Sequence, residues 1–179
     1  MWLSATSTRT QNYWSKPMSK TDLTRQAEKC LWNYTNKMGV FGCFEVTIGW
    51  YGKERVDYIT YSTDNTIRCY EIKVTLADLK SKASQTFIGD YNYLVVTNEL
   101  WKAIQADNDL GWKYYHEGIL IFDELSHNIG ITSVKKAKKR NVTIGTRATV
   151  LESMVRSLNR EVGKLYKLAP FWELKANES

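Results

Sequence analysis

Proline, histidine and long apolar runs are scarce in this sequence. Its 179 residues include only two prolines and two histidines, a composition that excludes collagen-like and proline-rich disordered chains. No stretch approaches the roughly 20 consecutive apolar residues that a membrane-spanning helix needs. His116 and His127 do not have the spacing of metal ligands, and we assign them no role.

Cysteine is scarce as well. Cys30, Cys43 and Cys69 are widely separated and form no CxxC pair, which argues against a zinc site or thiol redox chemistry. We expect all three to be reduced thiols in the core. The first residues lack the apolar segment of a secretory signal, so we expect an intracellular, cytoplasmic protein.

The overall composition is typical of a globular protein, and the net positive charge favours an acidic partner. Hydrophobic residues make up 43% and charged residues 25% of the chain, and the net charge is +6. Nucleic acid is the commonest partner of a basic protein, and a merely solvated basic surface is the alternative. Residues 1–19 show no periodicity and are predicted to form a flexible N-terminal arm, whereas residues 20–179 are predicted to form a single domain.

Hydrophobic periodicity and turn residues predict the order of the secondary structure. A first helix, opened by Thr21 or Asp22 and ending near Lys37, precedes three strands that form an antiparallel meander. A short helix opened by Thr75, a buried strand, another helix, two strands and a long helix from Thr146 follow. The predicted strands cover residues 41–49, 54–61, 67–74, 92–97, 118–124 and 128–134, and the two middle helices cover 76–87 and 99–107. This order predicts an α/β fold with a mixed central sheet flanked by helices on both faces.

The stretch RVDYITYSTDNTIRCYEIK, residues 55–73, carries the chemistry. If its turn is centred on Asp64, the numbers of cross-strand partners add to 128, and Asp57 lies opposite Glu71. Because side chains alternate along a strand, Lys73 projects to the same face as Glu71. A slip of one residue would separate these groups, so the prediction depends on the register.

Two carboxylates this close repel each other, and a metal ion is a simple way to compensate them. Hard oxygen ligands select Mg²⁺ or Mn²⁺, and such ions bind phosphate and activate water. Lys73 could orient or deprotonate that water, or stabilise charge on the phosphate. The alternative is that Asp57, Glu71 and Lys73 form an exposed cross-strand salt-bridge cluster of little energetic value. The opposite face of the strand is apolar and is predicted to pack beneath a helix: Tyr70, Ile72 and Val74.

A helix containing Glu28, then Asp57 on a second strand, then YEIK at residues 70–73 followed by a helix, resembles the core of the PD-(D/E)XK nuclease superfamily. The stretch EIKVTLADLKSK followed by FIGDYNYLVV looks more narrowly like its MmcB-like branch, which is associated with DNA repair and occurs in bacterial and phage genomes. The resemblance spans roughly residues 22–125. Val56 stands where the proline of the motif is expected, and Leu79 where a phenylalanine is expected.

The resemblance implies a restriction-endonuclease-like αβββαβ core and hydrolysis of DNA phosphodiester bonds, in repair or in phage DNA processing. By that implication Asp57 and Glu71 hold Mg²⁺ or Mn²⁺, Lys73 is the catalytic base or stabiliser, and the backbone carbonyl of Ile72 completes the metal shell. Glu28 is a candidate fourth ligand, with an exposed helix glutamate as the alternative. A catalytically inactive module that binds nucleic acid or a protein remains an alternative for the whole chain. The resemblance implies a bacterial or phage-infected host cell. A homodimer is possible for a nuclease of this kind, but no feature of the sequence requires one.

Further residues are candidate contacts to nucleic acid, each with a solvated surface or ordinary packing as the alternative. The lysines and arginine proposed to meet phosphates are Lys80, Lys82, Lys135, Lys136, Lys138, Lys139 and Arg140. The long helix carries a second basic stripe of Arg156, Arg160, Lys164 and Lys167, beside an apolar stripe of Leu151, Met154, Val155, Leu158, Val162 and Leu165. Glu45 could touch the acidic site, and Trp50, Tyr51 and Trp112 could stack on bases.

Overall fold

A six-stranded mixed sheet forms the centre of the protein, which is described by a computed structural model over residues 20–49, 52, 54–81, 85–122 and 130–171. Its strands are β1 (Val40–Thr47), β2 (Arg55–Ser62), β3 (Ile67–Lys73), β4 (Tyr91–Val96), β5 (Gly118–Phe122) and β6 (Ile131–Lys135). The helices are α1 (Lys20–Thr35), α2 (Leu76–Leu79), α3 (Asn98–Ala106), α4 (Asn108–Lys113) and α5 (Ile144–Leu168). The predicted N-terminal arm lies outside the described residues, and no helix among those described is long and apolar enough to cross a membrane.

The strands are ordered in the sheet as they are in the chain. β1, β2 and β3 form the predicted antiparallel meander, β3, β4 and β5 run parallel, and β6 returns antiparallel to β5. The α/β class, the mixed sheet and the αβββαβ order of the first six elements are confirmed. Because β3, β4 and β5 are parallel, their carboxyl ends meet at the same edge of the sheet, where β3 ends at Lys73.

The register of the hairpin formed by β2 and β3 agrees with the prediction. Tyr58 pairs with Tyr70 and Tyr61 pairs with Ile67, so the partner numbers add to 128. In the turn, the side chain of Asp64 accepts a hydrogen bond from the backbone nitrogen of Thr66 at 3.1 Å. This register decides which side chains of β3 face each layer of helices.

Helices cover both faces of the sheet. On one face, α1 packs its buried residues onto the apolar side of β3, as predicted: Ala27, Cys30 and Leu31 against Tyr70, Ile72 and Val74. On the other face, α5 contributes Val150 and Met154, and α3 and α4 contribute Leu100, Ile104 and Leu110. The three cysteines are free and buried, as predicted.

Two helical predictions need correction. α2 is a single turn, although a helix over residues 76–87 was expected; Thr75 does cap it by accepting a hydrogen bond from the backbone nitrogen of Asp78. After this turn the side chain of Gln85 donates a hydrogen bond to the carbonyl of Leu79, and the backbone nitrogen of Thr86 donates one to Glu71 on β3. The sequence did not predict α4, which begins because the side chain of Asp107 caps it.

α5 begins at Ile144, two residues before the predicted start, because Thr143 caps it. Of the predicted apolar stripe, Met154 is buried, whereas Val155 and Leu165 are exposed. Arg147 anchors the first turns through two hydrogen bonds to the carboxylate of Asp90, at 2.9 and 3.1 Å. Asp90 also accepts a hydrogen bond from the backbone nitrogen of Ile67, so this ion pair joins α5 to the start of β3.

Replacement of Arg147 by alanine should lower the free energy of unfolding by about 2–3 kcal/mol, because the nearly buried Asp90 carboxylate would lose its cation. The measurement is urea unfolding followed by circular dichroism. Lys164→Ala removes an exposed pair with Glu161 on the same helix and should change stability by less than about 0.5 kcal/mol. Equal effects of the two substitutions would contradict the anchoring role of Arg147.

Candidate active site

Asp57 and Glu71 lie side by side where β2 and β3 leave their regular pairing. The register of the hairpin, continued by one pair, sets them opposite each other. The Asp57 carboxylate accepts a hydrogen bond from the backbone nitrogen of Ile72 at 2.8 Å. The two carboxyl groups are also close enough to share a hydrogen bond, which requires a proton on one of them.

Glu71 and Lys73 are buried at this site. The side chain of Glu71 is 1% exposed and that of Lys73 is 9% exposed, and Lys73 Nζ lies 3.9 Å from Glu71 Oε2. The backbone nitrogen of Thr86 donates a hydrogen bond of 3.3 Å to Glu71 Oε1. An exposed salt-bridge cluster is therefore excluded, because such a cluster would need both side chains in solvent.

The environment of Glu71 disfavours its ionised form. Burial is the largest cause, followed by repulsion from Asp57, and together they raise the pKa of Glu71 to about 8. Lys73 and the Thr86 nitrogen act in the opposite direction without cancelling the effect. A cation beside the two carboxylates would replace the proton that Glu71 otherwise retains.

Glu45 and Glu28 border the site from β1 and α1. Glu45 lies in line with Asp57 in the register of β1 and β2, and its backbone adopts a left-handed conformation with φ of 52°. Its carboxylate is exposed and pairs with Arg55 at 3.3 Å. Glu28 is half-buried; desolvation first, then the charges of Glu45 and Asp57, raise its pKa. The negative field therefore reaches Glu28, which lines a groove of about 510 Å³ together with Glu45.

The donor set suits a cation that keeps much of its hydration shell. Among the residues that the structure describes, no three His, Cys, Asp or Glu side chains gather into a metal-binding group. Two carboxylates, Asp57 and Glu71, are what this part of the sheet offers, with the carbonyl of Ile72 on the same strand. Mg²⁺ is commonly bound by one or two carboxylates and several waters, so such a set fits it better than Zn²⁺ or Ca²⁺.

The basic candidates do not form one patch. Lys80 pairs with Asp107 at 3.0 Å, and Arg140 pairs with the buried Glu117. Lys135 donates a hydrogen bond to the carbonyl of Tyr114. The remaining lysines of the basic tract are exposed: Lys136, Lys138 and Lys139. Lys82, Trp50, Tyr51 and His127 lie outside the described residues.

Sequence reasoning missed the residues that support the acidic pair. Thr86 holds Glu71 through its backbone nitrogen and also donates from its hydroxyl to Glu54 at 3.2 Å. Thr86 lies 15 residues after Glu71 in a segment without regular structure. No spacing pattern in the sequence could have placed its backbone nitrogen at the carboxylate.

Comparisons with known proteins bear on the fold alone. No protein-family model and no curated protein matches the sequence. The chain is similar to a solved structure, the SPO1766 protein of unknown function from Silicibacter pomeroyi, with a TM-score of 0.58 and 16% sequence identity. The similarity covers 78% of this chain and 90% of that chain. At 16% identity this similarity shows that the two chains share an α/β fold, and it indicates nothing about function.

The stability of the metal-free protein should fall between pH 5 and pH 8. The pKa of Glu71 is about 8 in the folded chain and 4.5 as its ordinary value, so the contribution present below pH 4.5 is lost as the pH rises through 8. Glu71→Gln cannot ionise and should flatten this part of the profile. Thermal unfolding in EDTA at several pH values measures the difference; superimposable profiles for the two proteins would contradict the assignment.

Proposed function

We propose that this protein is a divalent-metal-dependent nuclease of the PD-(D/E)XK superfamily, related to its MmcB-like branch, and that it hydrolyses DNA phosphodiester bonds. The observation that carries the proposal is the buried pair of Glu71 and Lys73 at the carboxyl end of β3, with the partly buried Asp57 beside Glu71. The proposal includes a cytoplasmic location, a role in DNA repair or phage DNA processing, and compatibility with a homodimer.

Burial is the main support for a functional role of these residues. Burying the Glu71 carboxylate and Lys73 costs several kcal/mol per ion before compensation, and a purely structural site would avoid this cost by using apolar residues. The same strand has the apolar residues Tyr70 and Ile72 on its other face, so β3 is stabilised without these charges. Perturbed, buried ionisable groups of this kind are enriched at catalytic sites.

Each residue has a role that its contacts allow. Asp57 and Glu71 would hold Mg²⁺ or Mn²⁺, with the Ile72 carbonyl, and the hydrogen bonds from Ile72 N and Thr86 N orient their carboxylates. The bound ion supplies polarisation of a phosphate oxygen and a more acidic water. Lys73 places its side-chain nitrogen beside Glu71, where it orients the attacking water or neutralises charge on the phosphate.

A nucleic-acid substrate is supported by charge as well as by the resemblance of the motifs. The chain carries a net charge of +6, which favours binding of a polyanion. The acidic site occupies one end of the sheet, and lysines are spread over other parts of the chain. Asp57 and Glu71 would hold a metal ion that offsets the charge of one phosphate, and the lysines would attract the rest of the phosphodiester backbone.

A second candidate function is a nuclease-fold module that binds nucleic acid or a protein partner without cutting it. One observation favours it: over the described ranges, Asp57 and Glu71 are not joined by a third ligand side chain in a metal-binding group. Asp57 is moreover already engaged by the backbone of Ile72. In this case Asp57 and Glu71 would keep their positions in the fold, but the protein would not catalyse hydrolysis.

Cleavage assays with the full chain test the proposal. Single-stranded, double-stranded and branched DNA are incubated with Mg²⁺ or Mn²⁺, and we expect cleavage that EDTA abolishes. Lys73→Ala should reduce the rate by roughly 10²-fold or more, because it removes the ammonium group proposed to orient the attacking water or to neutralise charge on the phosphate. Lys102→Ala removes an exposed lysine of α3 and should leave the rate unchanged.

The same assay separates the two candidate functions. Cleavage that survives Lys73→Ala unaltered would contradict the proposed mechanism. If the wild-type chain does not cut any of the substrates, but calorimetry detects Mn²⁺ binding that Asp57→Ala abolishes, the binding module is the better description.

A further inference from the structure

A pocket formed by α3, α4 and β5 combines exposed aromatic rings with amide groups. It has a volume of about 440 Å³, within the range of small-molecule sites. Trp112 and Tyr115 form its outer wall; they are 76% and 48% exposed, and their ring centroids are 5.9 Å apart. Gln105 and Asn108, which carry side-chain amides, are among its lining residues, as is the buried Ile119 of β5.

Two lysine side chains lie against the same aromatic wall. Lys138 Nζ is 3.9 Å and Lys135 Nζ is 5.6 Å from the centroid of the Tyr115 ring. Neither lysine forms an ion pair with a carboxylate in the part of the chain that the structure describes. Asp107 also lines the pocket, but its carboxylate is paired with Lys80. Two ammonium groups on one ring repel each other, so an anion bound there would be stabilised by both.

The pocket is on the same face of the sheet as the acidic site and in the same row of residues. Glu71 pairs with Leu94 on β4, and Leu94 pairs with Ile119 on β5. Neighbouring strands are about 4.8 Å apart, so Ile119 lies on the order of 10 Å from Glu71. Lys135 on β6 pairs with Ile119 and extends the row by one strand.

A line of contacts also connects the two places. Tyr114, which lines the pocket, donates a hydrogen bond of 2.7 Å to the side chain of Gln85. The next residue, Thr86, holds Glu71 through its backbone nitrogen. The wall of the pocket and the support of the acidic pair therefore belong to one packed unit.

The geometry points to a binding subsite for an unpaired nucleobase of single-stranded DNA, stacked on Trp112 and Tyr115, with its phosphate held by Lys135 and Lys138. Base faces in a duplex are covered by their neighbours, so only a single strand or an unpaired base can enter such a pocket. The amides of Gln105 and Asn108 can pair with the edge of the base. The inference deepens the proposed function, on which it rests for the choice of DNA, by naming single-stranded DNA beside the site of cleavage.

Binding of fluorescently labelled single-stranded DNA, measured by anisotropy in EDTA, tests the subsite. Trp112→Ala should weaken binding at least about fivefold, because stacking of one base is lost, and Trp112→Phe should keep most of the affinity. Tyr166→Ala removes another exposed aromatic residue, from α5, and should have no effect. A blunt duplex of equal length should bind the wild type and Trp112→Ala alike.

The contribution of Lys138 can be measured separately, from the salt dependence of binding. Lys138→Ala should reduce the slope of log affinity against log salt by about 1, since one phosphate contact is lost. Lys102→Ala, an exposed lysine on α3, should leave the slope unchanged.

Wild-type affinity for single strands in Trp112→Ala, or an equal loss for single strands and duplex, would overturn the subsite. Because Trp112 is largely exposed, its replacement should leave the thermal unfolding temperature unchanged, and Trp112→Phe gives a second variant that retains a ring. EDTA excludes metal-dependent cleavage, so this result does not depend on turnover. If the chain binds single strands as expected but does not cut DNA, the subsite stands and the proposed nuclease function is wrong. If the chain cuts DNA but Trp112→Ala binds single strands with wild-type affinity, the nuclease function stands and the subsite is wrong.

Discussion

The antiparallel register between β2 and β3 determines what each face of the sheet contains. With Tyr58 opposite Tyr70, the side chains of Tyr70 and Ile72 enter the core beneath α1, and Glu71 and Lys73 face the other layer of helices. A shift of one residue would place Glu71 and Lys73 beneath α1 and move Tyr70 and Ile72 to the other layer of helices. The apolar packing of one face therefore sets the position of the charges on the other.

Holding those charges in the interior requires support from distant parts of the chain. Thr86 returns to Glu71 after the short helix α2, and Ile72 supplies its own backbone nitrogen to Asp57. The ion pair of Asp90 and Arg147 fastens α5 to the start of the same strand. Each of these contacts involves β3 or its neighbours. The positions of Asp57 and Glu71 are therefore fixed by several hydrogen bonds and not only by the attraction between Glu71 and Lys73.

The distribution of charged residues along the sheet is consistent with the proposed function. Negative groups collect toward β1, β2 and β3, where Glu45, Asp57 and Glu71 lie in line with one another just outside the regular pairing of the strands. The other end of the row reaches Ile119 and Lys135, beside exposed aromatic rings. A single strand of DNA passing over the outside of this layer of helices would bring one phosphate to the metal-assisted site and a neighbouring base to the exposed rings of Trp112 and Tyr115.

Local patterns in the sequence determined the strands, the caps at Thr75 and the register around Asp64, because turn chemistry and the alternation of side chains act over a few residues. They also determined that Asp57, Glu71 and Lys73 share one face of a hairpin. The sequence could not show that Glu71 is buried, since that depends on the backbone nitrogen of Thr86 reaching it from 15 residues along the chain. The single turn of α2 and the existence of α4 were missed although their contacts are local, from Gln85 to Leu79 and from Asp107 to Leu110, because a short capping pattern does not by itself decide where a helix begins or ends. The row that joins Glu71 to Ile119 was decided by the tertiary structure alone, because parallel pairing of strands separated by helices leaves no short-range pattern in the sequence.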